Sequence, residues 1–154
     1  LRNGIGNDRL KSILQHQNQD KNMRTWNDSL KIGIPLLDCQ HEQLLDQMDQ
    51  LLTAMDNHKG DQEIRGIMGF LKMYTNNHFN YEESCMNNYK CPVACDNKKA
   101  HTNFLTTLQD INSKIDQKQP LELIRVQVKR ELVDWFVNHI KNIDTQLKSY
   151  IPKK

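Results

Sequence analysis

His41, His78, His101 and His139 each fall in a different stretch of chain whose apolar residues recur every three or four positions. Each therefore takes a core-facing place on an amphipathic helix, one histidine to a helix. Glu82 lies four residues after His78, roughly 40° further round an ideal helix, and shares its face. A carboxylate is almost never buried alone, because an unpaired interior charge costs on the order of several kcal/mol. A metal ion would supply the missing countercharge. Imidazole nitrogen with carboxylate oxygen suits iron, zinc or manganese, and a carboxylate that bridges favours two ions close together. Facing helices of a bundle are a known way to present the ligands of a di-iron site.

Taken singly, each residue has a plainer reading. A lone histidine on an apolar face is more often a hydrogen-bonded core residue than a ligand. Glu82 could face solvent beside Glu83, or pair with a lysine. The conjunction outweighs these readings: four helices with one core histidine each, one of them with a carboxylate at i+4, is hard to reach by chance. His16 and His58 lie in a polar segment and at a helix end, and neither is given a role. Asp144 follows His139 by five residues, roughly 140° round an ideal helix. Periodicity alone leaves it as a solvated acid.

The elements that must position these residues are legible in the same periodicity. Leu37, His41, Leu44, Leu45, Met48, Leu51, Leu52 and Met55 mark a first helix that ends near Gly60. A second follows, with Asp61 expected as its N-cap, carrying Ile64, Ile67, Leu71, Tyr74, His78, Glu82, Cys85 and Tyr89 on one face until Cys91-Pro92 breaks it. The third runs from about Ala94 through Asn97, His101, Phe104, Leu108, Ile111 and Ile115. Pro120 stands near the start of the fourth, marked by Ile124, Val128, Leu132, Trp135, Phe136, His139, Ile143 and Leu147. Ahead of them, Trp26 to Ile34 reads as an extended arm, since Gly33-Ile34-Pro35 forbids a helix there. Residues 1–24 are a polar lead or connector, and residues 25–154 form the bundle. The expected fold class is all-α: an up-down-up-down four-helix bundle with an N-terminal extended arm.

The totals agree. The length suits one domain with a real core, and only 6 Gly and 4 Pro leave long stretches free of breakers. A net charge of +2 without a compact basic stripe gives no sign of a nucleic-acid partner. No apolar run approaches the roughly 20 residues a membrane helix needs, and no signal-peptide pattern is visible. A cytoplasmic protein without membrane insertion is expected. Cys39, Cys85, Cys91 and Cys95 lack the spacing of a zinc module. Buried or loop thiols are the plain reading; a Cys91–Cys95 disulfide or thiol redox sensing is the other.

Several motifs together resemble the hemerythrin family, over roughly Thr25 to Tyr150. The run Trp26…Ile32-Gly33-Ile34…Asp38-Cys39-Gln40-His41 is similar to its N-terminal arm and first-ligand motif. His78-Phe79-Asn80-Tyr81-Glu82-Glu83 resembles its HFxxEE signature, and His101 with Phe104 the third-helix motif. Trp135-Phe136-Val137-Asn138-His139-Ile140-Lys141-Asn142-Ile143-Asp144 resembles the fourth. The resemblance implies two non-haem irons joined by an oxo or hydroxo bridge, with O2 as ligand. By position, Glu82 and Asp144 would bridge the irons. His41 and His78 would hold the iron that takes O2, and His101 and His139 the other.

One position departs from the family pattern. The third helix normally carries HxxxH, and the first of that pair falls here at Asn97. A neutral amide oxygen is a weaker ligand for Fe(II) than imidazole. Three outcomes stand open: Asn97 ligates weakly, it leaves a place for water or another ligand, or one iron is lost.

The leading expectation is a protein that binds O2 reversibly, for carriage, storage or sensing, with chemistry altered at Asn97. An attached or partnering signalling domain suits the polar lead. The alternatives are di-iron oxidase or peroxidase chemistry through the vacated position, iron or nitric oxide handling, and a metal-free bundle used for protein contact.

Overall fold

In the computed structural model, residues 24–152 are described, so the polar lead falls almost wholly outside the described residues. Among the described residues every regular element is helical. Four rods form the bundle: α1 (Pro35–Asp56), α2 (Asp61–Asn88), α3 (Ala94–Asp116), and a composite fourth. The fourth begins as α4 (Leu121–Gln127), widens into a π-helical segment (Val128–Asp134), and returns to α geometry as α5 (Trp135–Asn142). Each rod packs on the next in sequence and the fourth closes against α1, as short connections demand.

The apolar stripes read from sequence are the core. Leu37, Leu44, Leu45, Met48 and Leu51 of α1 are fully shielded, as are Leu71, Ile111, Val128, Leu132 and Phe136 on the facing rods. Tyr89 is the exception on α2: it is exposed at the helix end rather than on the core face. The expected Asp61 cap is also corrected. Gly60 takes the cap position with no side-chain bond, and Asp61 begins the helix, where its charge favours the N-terminal dipole.

α1, α2 and α3 end in the same way. His58, Lys90 and Lys118 have φ of 51°, 50° and 55°, in the left-handed region. The amide of the next residue reaches back to the carbonyl five before it: Lys59 to Ala54 at 2.9 Å, Cys91 to Met86 at 2.8 Å, Gln119 to Lys114 at 3.1 Å. This is the Schellman stop, usually given to glycine and here made by side-chain-bearing residues.

The arm is extended apart from one 3-10 turn, Asp28–Leu30, and buries Trp26, Leu30 and Ile32. Asp38 in the first turn of α1 holds it there, its carboxylate accepting from Ile32 N at 2.7 Å and Gly33 N at 3.2 Å. Gly33 has φ +87°, and a Cβ would meet the Lys148 side chain at 2.8 Å. No helix of the described residues is long and apolar enough to cross a membrane.

Candidate metal centre

Each rod delivers its histidine to one point in the bundle core. His41 on α1, His78 on α2, His101 on α3 and His139 on α5 are all buried, with no more than 5% of any surface exposed. Glu82, Asn97 and Asp144 are fully shielded among them. The plainer reading of Glu82 as a solvent-facing acid is thereby overturned.

Asp144 also departs from its helical projection. α5 stops at Asn142, and Ile143 (φ −113°, ψ −54°) leaves α geometry before a 3-10 segment, Asp144–Tyr150. The rotation of 100° per residue no longer holds across that joint, so Asp144 turns inward instead of into solvent.

The two carboxylates are placed alike. Glu82 puts Oε1 at 3.2 Å from His101 Nε2, and Oε2 at 3.3 Å from His41 Nε2 and 3.4 Å from His78 Nε2. Asp144 puts Oδ1 at 3.3 Å from His139 Nε2 and Oδ2 at 3.2 Å from His41 Nε2. Each acid thus gives one oxygen to the His41/His78 half and one to the His101/His139 half. Asn97 belongs to the second half, with Oδ1 at 2.8 Å from His139 Nε2.

The donor atoms fall into two groups that a metal ion could occupy. Glu82, His101, His139 and Asp144 form one, and His41, His78 and Glu82 the other, each with ligand atoms within 4.8 Å of one another. Two cis ligands about 2.1 Å from a metal lie about 3.0 Å apart, close to the spacings above. Without a metal the cluster is poorly satisfied. Glu82 Oε1, both Asp144 oxygens, His78 Nε2 and Asn97 Nδ2 are buried without a hydrogen-bond partner. Such atoms carry a desolvation penalty that coordination would remove. The residues fit a pair of metal ions.

Protonation in the metal-free cluster is uneven. Burial opposes a charge on His41, but the carboxylates of Asp144 and Glu82 outweigh it and hold its pKa up at about 9. His78 is pushed down to about 3 by burial, against the pull of Glu82. Burial would raise the pKa of Asp144, yet the imidazoles of His139 and His41 hold it well below the usual carboxylate range.

A second layer orients the rings. Gln40 Oε1 lies 2.7 Å from His78 Nδ1, a hydrogen bond, whereas Glu83 Oε2, 3.8 Å from His101 Nδ1, is too far to make one. Phe79 stacks on His101 with centroids 3.7 Å apart, and Trp135 stacks on His139 at 4.8 Å. Phe136 sets its edge against His41 at 5.5 Å. Sequence reasoning gave Gln40 and these rings no such role. Gln40 stands 38 residues from the histidine it orients, so no local spacing could reveal the pair. The four cysteines are free thiols, and Cys39, two residues before His41, is exposed.

Comparison with known proteins agrees with this geometry. Residues 32–151 match the family described as "Hemerythrin HHE cation binding domain". A bacteriohemerythrin of Pseudomonas aeruginosa is 29% identical over 119 residues, which cover 77% of this chain and 75% of that protein. A bacteriohemerythrin of Campylobacter jejuni is 21% identical over 131 residues, covering 84% and 97%. A myohemerythrin of Sipunculus nudus is 28% identical over 123 residues, covering 80% and 89%.

Proposed function

The chain belongs to the hemerythrin family, a family of non-haem iron, oxygen-binding proteins, and from that premise we propose that it binds O2 reversibly for carriage, storage or sensing. One observation carries the reading most directly. Glu82 and Asp144 each direct one oxygen to either half of the histidine cluster, as carboxylates that bridge two ions must.

In this reading His41 and His78 would hold one iron and His101 and His139 the other, with Glu82 and Asp144 available to both and Asn97 beside the second. The iron pair supplies the redox capacity that O2 binding needs. The chain's own residues do the rest. The imidazoles present Nε2 inward, and Gln40 keeps the proton of His78 on Nδ1, away from the metal side. Phe79, Phe104 and Phe136 line the surroundings with apolar surface, which excludes water and the protons it carries. Excluding protons favours release of O2 unchanged over its reduction.

Asn97 favours a second reading, oxidase- or peroxidase-like turnover. A neutral amide is a weaker ligand than imidazole and is more easily displaced from the second half. Iron per chain, together with optical spectra cycled between O2 and argon, tests both. Two irons and a spectrum that returns over repeated cycles support reversible binding. Irreversible oxidation with release of peroxide favours turnover. Fewer than two irons per chain removes the di-iron reading.

A further inference from the structure

Asn97 is fully shielded, yet only one end of its amide is engaged. Its Oδ1 accepts from His139 Nε2 at 2.8 Å, while Nδ2 has no hydrogen-bond partner. The engaged end depends on a proton on His139 Nε2, the nitrogen that faces the acidic cluster 3.3 Å from Asp144 Oδ1. An imidazole nitrogen whose lone pair goes to a metal carries no proton. In the loaded protein Oδ1 therefore loses its donor, and the whole amide becomes free to serve something held beside His101 and His139.

Each half also draws on both carboxylates: Glu82 Oε2 lies near His41 and His78 and Asp144 Oδ2 near His41, while Glu82 Oε1 lies near His101 and Asp144 Oδ1 near His139. Asn97 adds to the second half a neutral amide, whose oxygen is a weakly held, exchangeable ligand with an N–H donor on the same group.

We infer that the Asn97 side of the centre is a second binding position for a small monodentate anion. The anion displaces the amide oxygen and accepts a hydrogen bond from Asn97 Nδ2. The inference rests on the di-iron reading above, and predicts that both halves take an exogenous ligand. Stacked Trp135 and Phe79 flank the two histidines.

Azide is the probe, titrated into the oxidised, iron-loaded full chain. Stoichiometry is read by calorimetry and by the infrared stretches of bound azide, with iron measured on the same sample. Two azides per chain in the wild type and one in Asn97→His are expected. Asn97→Leu keeps the space without the donor, so its second azide should bind roughly 10- to 100-fold more weakly. One azide in the wild type with two irons present overturns the inference and leaves the di-iron reading intact. Two azides in Asn97→His remove Asn97 as the cause. Fewer than two irons per chain overturns both.

Discussion

Gln40 fixes the orientation of His78: its side-chain oxygen lies 2.7 Å from His78 Nδ1, leaving Nε2 as the nitrogen that faces Glu82. The partner of a ligand histidine sets both its tautomer and its ring angle. Gln40→Leu should therefore weaken iron binding about 10- to 100-fold. Because Gln40 is only half buried, the metal-free variant should unfold near the wild-type temperature. Equal iron affinity in competition with a chelator would show that His78 is held by packing alone.

His41 links metal uptake to pH. Its pKa is raised in the metal-free fold to about 9, so the ring is charged at pH 7. A histidine raised on folding stabilises the folded state fully below its unfolded pKa, near 6.5. That stabilisation is lost as pH rises through about 9. Metal-free protein should accordingly become less stable from pH 6.5 to 9, while iron affinity rises over the same window. Near neutrality, uptake should release about one proton from His41. Calorimetric loading in two buffers of different ionisation enthalpy measures it, and identical heats would contradict the linkage.

Removing the metal should lower thermal stability. Binding at 100 times the dissociation constant adds about 2.7 kcal/mol, which for a domain of this size is roughly 5–11 °C in Tm. The unpartnered atoms of Glu82 and Asp144 are the structural reason to expect at least that much. Calorimetric scans with and without chelator provide the test, and coincident transitions would mean that the cluster is stable without ions.

The three helix stops offer stability that the chain does not use. His58, Lys90 and Lys118 hold left-handed backbone that glycine adopts without strain. Lys90→Gly should stabilise the fold by about 0.5–1 kcal/mol, and likewise the other two, as the midpoint of urea unfolding will show. Lys90→Val, which puts a branched side chain into the same backbone, should move the midpoint the other way.

Much of the fold was legible because the bundle buries one stripe of each helix. The stripe from Leu37 to Met55 is plain in the spacing of its apolar residues, and the four histidines stand out as polar residues within such stripes. Asp144 was hidden from periodicity because a helical projection is valid only while the helix lasts, and the chain leaves α geometry at Ile143. The resemblance to known motifs carried what periodicity could not. Gln40 was hidden for another reason: its contact joins two helices, and spacing along one helix says nothing of its neighbour. Residues 58, 90 and 118 escaped notice because left-handed stops are sought at glycine.

The π-helical segment Val128–Asp134 bears on how chain length and ligand position are related. A π turn holds about one residue more than an α turn, so the segment stores roughly one residue of slack just ahead of His139. Deleting an outward-facing residue such as Arg130 would let the stretch relax into ordinary α-helix. The rod would keep its phase on both sides, whereas the same deletion in α2 would rotate His78 and Glu82 away from their partners. Of the four rods, the fourth is the one whose length can change without moving its core histidine.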